Sequence, residues 1–271
     1  MPLPDRPHRL SSLTWLLLAL AGAASAVSSP RPGLALHYEG EARALDDGSL
    51  LYRESHWLFE LGGTPQRLVL YLCPDGRPFA RKRLRLGVDP ERPEFDLVDG
   101  RDGYRERVRL RDGAVHVLIQ EPEAEAPRQQ RLALADGSVI DAGFDARVRR
   151  QWERLAAGHA QTLSFLVPSR GRYLDFRLAG ARELEFEGEP ALRLRMSPPI
   201  LYRPFVPVFE LTYGRQHRWL RRFEGLGTIR GDDGRPLPVR IDFPPRSALR
   251  EVPLSEALAA LERPLAMRCP D

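Results

Sequence analysis

Residues 104–113 read YRERVRLRDG, and their alternation decides the fold class. Arg105, Arg107, Arg109 and Arg111 occupy the odd positions, and Tyr104, Glu106, Val108 and Leu110 the even ones. At the strand period of two, the first set forms a solvated face and the second a mostly packed one. The stretch closes on Asp112-Gly113. Asp-Gly between alternating segments is a hairpin signal, because the turn requires positive φ and glycine adopts it without steric cost.

The same punctuation recurs in both directions, at Asp47-Gly48, Asp75-Gly76, Asp136-Gly137, Glu187-Gly188 and Asp233-Gly234. Between the turns lie further one-sided patterns: Leu163, Phe165 and Val167; Leu174, Phe176 and Leu178; Leu184 and Phe186; Leu192, Leu194 and Met196; Val239, Ile241 and Phe243. Only Leu68 to Leu72 approaches the continuous apolar run of a strand buried on both faces. The chain therefore reads as an antiparallel meander, mainly β, with no internal repeat at a fixed period.

One amphipathic helix interrupts this pattern, expected from about Gly143 to Ala157, with Asp141 as N-cap and Gly158 at C′. Phe144, Val148, Trp152 and Leu155 form one stripe, and Arg147, Arg150 and Arg154 line the other side. A short C-terminal helix is expected from Ser255 to just before Pro264, with Leu258 and Leu261 facing inward. A one-sided sheet needs its apolar face covered. The expected architecture is thus a large curved antiparallel sheet, or an unclosed β-barrel, with the central helix in its concavity; an ordinary sandwich is the alternative.

The N-terminus sets the compartment. Arg6 and Arg9 precede the apolar run LTWLLLALAG at residues 13–22, which leads to Ala24-Ser25-Ala26. That order is a secretory signal peptide with an A-x-A cleavage site after Ala26. The run is shorter than the ~20 residues a membrane span needs, and no later segment comes close. Residues 27–271 then form a single β-rich domain in the periplasm, with no transmembrane segment. Its one candidate linker, residues 121–127, reads as a loop between strands.

The net charge of +4 and pI of about 9.4 carry little functional meaning. Lys82 is the only lysine and asparagine is absent, which points to a GC-rich genome that writes basic residues as arginine. Acidic residues, 37 of them, are interleaved with the 41 basic ones, so the clustered charge of a nucleic-acid footprint is missing.

The run Val139-Ile140-Asp141-Ala142-Gly143-Phe144-Asp145 leading into the Trp152 helix, taken with the signal peptide and the meander, resembles uncharacterised exported bacterial proteins of unknown function. The arrangement is similar to the half-barrel of the lipoprotein-localisation factors LolA and LolB. That second resemblance implies a lipid-handling function and assigns no site residue.

Several constellations carry possible chemistry. Tyr52, Glu54 and His56 share one strand face, with neighbours about 7 Å apart. Metal binding is not expected there, because the remaining histidines are scattered singly and a site requires three or four ligands. Catalytic motifs of the G-x-S-x-G, H-E-x-x-H or C-x-x-C type are absent. Arg81, Arg83 and Arg85 on one face of the next strand form either a headgroup-binding patch or a solvated strand face. Residues 225–231, GLGTIRG, fail as a dinucleotide fingerprint because the third glycine comes one residue late and a β-like segment follows, so no cofactor is expected. Residues 198–209, PPILYRPFVPVF, are too proline-rich for a central strand and form either an apolar lid or a packed loop.

The leading expectation is a non-enzymatic protein that holds a lipid or acyl chain between concave sheet and helix, with Phe144, Val148, Trp152, Tyr52, Glu54, His56, Arg81 and Arg83 as candidate ligand-binding residues. The alternatives are an envelope interaction module that docks a partner protein, or an enzyme using the Glu54/His56 face. The two cysteines, Cys73 and Cys269, are expected to pair, since export places them in an oxidising compartment.

Overall fold

The computed structural model describes residues 30–203 and 206–270; the expected leader at 1–26 lies outside the described residues. An N-terminal run of strands comprises β1 (Leu34–Ala44), β2 (Leu50–Leu61), β3 (Thr64–Leu72), β4 (Pro78–Arg85), β5 (Glu94–Asp99), β6 (Arg105–Arg111), β7 (Ala114–Gln120) and β8 (Arg128–Ala133). After β9 (Ser138–Val139) come helices α1 (Gly143–Arg150) and α2 (Trp152–Ala156). A second run follows: β10 (Gln161–Val167), β11 (Arg172–Phe186), β12 (Glu189–Ser197), β13 (Phe209–Gly214), β14 (Trp219–Arg230) and β15 (Pro236–Asp242). The chain closes with β16 (Arg250–Pro253) and α3 (Leu254–Glu262).

All sixteen strands belong to one sheet, in the order β8 through β1, then β15 back through β9, with β16 also on β1. Two meanders are thus sewn together where β1 pairs with β15. At Asp112-Gly113 and Glu187-Gly188 both turn residues take positive φ, as a two-residue type I′ hairpin requires. Asp136-Gly137 is a correction. It makes no hairpin; it opens the crossover from edge strand β8 to β9, which pairs parallel with β10 at the far edge. A dipeptide signals the turn but not which strand receives the chain.

The two edges meet without closing. The 3-10 turn Pro168–Arg170 after β10 leans on β6 and β7, and Arg128 Nη2 donates to the Ser169 carbonyl at 2.7 Å. Gly171 follows with φ of 57°, where a Cβ would come within 1.7 Å of Gln130 on β8, so glycine is required for this approach. The unclosed barrel holds its helix inside, as expected from the one-sided strands.

The helix departs from its expected form in two ways. It is interrupted at Gln151, where φ of −97° and ψ of 14° leave the helical region, and its N-cap is Ala142 with no side-chain cap. Asp141 does not cap because its carboxylate accepts a bond from Lys82 across the barrel, with φ of 47°. The C-terminal end is as read: Gly158 N–H bonds the Leu155 carbonyl and His159 N–H that of Arg154, both at 2.9 Å, a Schellman motif. Val148, Trp152 and Leu155 pack against β10 to β13. Arg147 is not on a solvated side: it is buried, with Nε donating to Glu91 Oε2 at 2.6 Å, while Arg150 Nη2 donates to the same oxygen at 2.8 Å. Glu91 also bonds the Ile140 N–H at 3.0 Å through its carbonyl, which lies 2.0 Å from where a Gly143 Cβ would be. This loop pins the helix start.

Leu68, Leu70 and Leu72 face outward under α3, with Trp57 and Phe59, whereas Val69 and Tyr71 face the barrel interior. Both faces of β3 are covered, which explains its continuous apolar run. In α3 Ala257 and Ala260 are buried against the sheet, with Leu254 and Leu261 packed beside them, as expected for Leu261; Leu258 is exposed, contrary to expectation, because it lies on the flank of that stripe. In the proline-rich segment, Ile200 and Leu201 point to solvent, while Tyr202, Val206 and Phe209 pack on the inner core.

Candidate functional site: an internal cavity of mixed polarity

Between the inner face of β1 to β6, the start of α1 and the second meander lies a cavity of about 960 Å³. Strand register builds its polar wall. Tyr38, His56, Val69, Lys82, Leu97 and Glu106 stand opposite one another on β1 to β6, forming one inward row across six strands. Glu54 and Tyr71 belong to the adjacent inward row.

His56 Nε2 and Glu54 Oε2 lie 2.9 Å apart, and both side chains are buried. The imidazole stacks on Tyr38, ring centroids 4.6 Å apart and planes 2° apart. Burial lowers the His56 pKa against the opposing pull of Glu54, so the ring is neutral at physiological pH. Its Nε2 proton is directed at Glu54, and Nδ1 has no partner among the described residues. Burial also pushes the Tyr38 phenol up to about 12, and its oxygen accepts a bond from Arg67 Nη2 at 3.2 Å. Farther along, Lys82 donates to Asp141, lies 3.4 Å from Thr228 Oγ1, and sits 4.8 Å over the Phe95 ring. Tyr104 donates to Glu106 at 2.8 Å, and burial raises the Glu106 pKa.

The opposite wall is apolar. Phe165, Phe176, Phe209, Phe223 and Phe144 form an unbroken string, with successive ring centroids 6.0, 5.7, 5.9 and 6.4 Å apart. All five line the cavity. From α1, Phe144 and Asp145 line the cavity, Phe144 being its apolar contribution.

The structure brings together only some of the residues read from sequence. Glu54, His56 and Phe144 line the cavity. Tyr52 faces the same way but lies in the core beside Tyr71 and Phe79. Val148 and Trp152 are spent on packing the helix to the sheet. Arg81 and Arg83 lie on the outer face. Arg81 donates to the carbonyls of Leu261 and Arg263, and Arg83 Nε donates to Gln66 at 2.9 Å, so both fasten the C-terminal segment and outer surface. The inward charged residue of that strand is Lys82, which sequence reasoning passed over as a site residue together with Tyr38, Arg67, Glu106 and Asp141. Period-two alternation already placed Lys82 opposite Arg81 and Arg83, and its being the only lysine was a second signal.

A hydroxyl–imidazole pair also occurs on the outer face, where His37 Nε2 is 2.8 Å from Ser55 Oγ. Arg250 Nη2 donates to His37 Nδ1 at 3.0 Å, which leaves the ring proton on Nε2. The imidazole therefore donates to the serine and has no lone pair with which to take its proton. Among the described residues, no three His, Cys, Asp or Glu side chains converge as a metal site would require.

No protein-family model matches the chain, and no curated protein matches it. In structure it is similar to a beta-barrel-like protein of the DUF1849 domain of unknown function from Brucella abortus, with 10% identity over 81% of this chain and 96% of that one and a TM-score of 0.48. It is also similar to a DUF1329 family protein from Desulfovibrio piger, with 10% identity over 80% and 84% and a TM-score of 0.27. A third similarity is to a domain from Vibrio parahaemolyticus named for outer membrane lipoprotein sorting, with 10% identity over 80% and 84% and a TM-score of 0.25.

Proposed function

We propose that the protein is exported to the periplasm, where residues 27–271 act as one domain that holds the acyl part of an amphiphile inside the barrel without a cofactor. The observation that carries this reading is the cavity: about 960 Å³, with five phenylalanines along one wall and fixed polar groups on the other. Ligand pockets run to roughly 300–1,000 Å³ and combine an apolar lining with a few orienting polar groups. The packed helix leaves this space open because Val148, Trp152 and Leu155 are turned onto β10 to β13, and of its apolar stripe only Phe144 reaches into it. The Cys73–Cys269 disulfide fits an oxidising compartment.

Titration of the oxidised protein with a fluorescent fatty acid, alongside native mass spectrometry of protein isolated from its host, tests this. Saturable binding at one site and a co-purifying amphiphile are expected; an empty protein that leaves the probe's emission unchanged overturns it.

A further inference from the structure

Lys82 is the chain's only lysine, against 40 arginines, and it is nine-tenths buried in the cavity wall. The bias that wrote every other basic residue as arginine did not do so here. An ammonium is compact and offers three donors, where a guanidinium is a wide planar fork. Asp141 and Thr228 engage two of those donors, and among the described residues no third acceptor lies within hydrogen-bond distance of Nζ.

Glu106 shows the reverse. Its carboxyl faces the cavity, accepts from the Tyr104 hydroxyl at 2.8 Å and pairs with no cation among the described residues. Register places it two strands from Lys82 in the same inward row, with Leu97 between them. The two backbones are therefore about 9.5 Å apart, and the side chains reach into one space. An unused donor of positive charge and an under-supplied acceptor of negative charge thus flank a single residue.

We infer that the cavity selects an amphiphile with a zwitterionic head, an acidic group facing Lys82 and an ammonium facing Glu106, as in an aminoalkyl phosphate. This rests on the amphiphile reading above. A head of this kind brings no net charge into the cavity, so it avoids the desolvation cost of an unpaired ion. At this end of the cavity a purely anionic head beside Lys82 also meets Asp141 and Glu106, and a purely cationic head beside Glu106 also meets Lys82. The acyl chain then runs along Phe144, Phe223 and Phe209.

The test uses the full oxidised chain and four probes with one common oleyl-length chain: lysophosphatidylethanolamine, lysophosphatidic acid, an alkylamine and a monoacylglycerol. Calorimetric titration below micellar concentrations should give a Kd for the ethanolamine lipid at least about tenfold lower than for the others. Glu106→Gln should remove its advantage over lysophosphatidic acid, and Lys82→Met its advantage over the alkylamine. Because Lys82 is the only side-chain amine, its acetylation in the unaltered protein, followed by mass spectrometry, gives a readout independent of variant folding. The ethanolamine lipid should slow it and the monoacylglycerol should not. Equal affinities, preference for a singly charged or neutral head, or no protection of Lys82 would overturn the inference while leaving the amphiphile reading intact. Binding of none of the four would overturn both.

Discussion

Cys73 and Cys269, separated by 196 positions in sequence, are joined by a disulfide with their Cα atoms 5.4 Å apart. The bridge draws the C-terminal segment over the ends of β3 to β5, where Ala266 N–H also bonds the Pro78 carbonyl at 2.7 Å. Chain-entropy reasoning gives a closed loop of this size about 5 kcal/mol, an upper figure. Cys269→Ser is the cleaner probe, because Cys73 is fully buried and its replacement adds a packing change. Urea unfolding of this variant against the oxidised protein should show a loss of about 2–5 kcal/mol; an unchanged midpoint and slope would show that the bridge adds nothing.

Glu91 should be the most sensitive single position outside the cavity. It is 3% exposed and satisfies both Arg147 and Arg150. Glu91→Ala leaves the Arg147 guanidinium buried without its counter-charge, for which about 3–5 kcal/mol is expected. Gly143→Ala should displace the same contact from the other side, since its Cβ would meet the Glu91 carbonyl. Chemical denaturation of both variants checks this, and losses below about 1 kcal/mol in both would remove the loop from its pinning role.

The pH dependence of stability has a defined sign for the two buried histidines. Burial lowers the pKa of His56, and burial followed by Arg250 lowers that of His37. The unfolded chain binds these protons near the ordinary value of about 6.5, whereas the folded one does so only at lower pH. Their contribution is therefore fully present above about 6.5 and is lost as pH falls from there through the folded values. Melting temperature should drop between pH 7.5 and pH 5.5, and His56→Gln should shrink the drop. A variant with the same pH profile as the parent would refute the assignment to His56.

The cavity wall and the outer face of β4 should separate cleanly in binding. Leu226→Trp adds bulk to the cavity and is expected to weaken fluorescent fatty-acid binding at least about tenfold. Arg83→Ala, on the outer face, should leave the same affinity unchanged. Equal losses in both would place the ligand elsewhere.

The alternation in residues 104–113, the Asp-Gly turns and the phenylalanine-bearing strands determined by themselves that this is a β meander with one inner helix, because side-chain period and positive φ are local properties of the chain. The pairing of the two cysteines was also legible, from their number and the expected compartment. Tertiary structure alone decided the rest. The joining of β1 to β15 and the parallel docking of β9 depend on which distant edges the sheet's curvature brings together. For the same reason Asp141 was misread as a cap: its partner Lys82 lies 59 positions away and becomes a neighbour only when the barrel curls. Of the helix stripe, Phe144 alone lines the cavity, because a stripe wraps around its axis while the sheet covers only part of it. Periodicity tells which side of a strand a residue occupies, and closure of the sheet decides whether that side encloses a site or faces water.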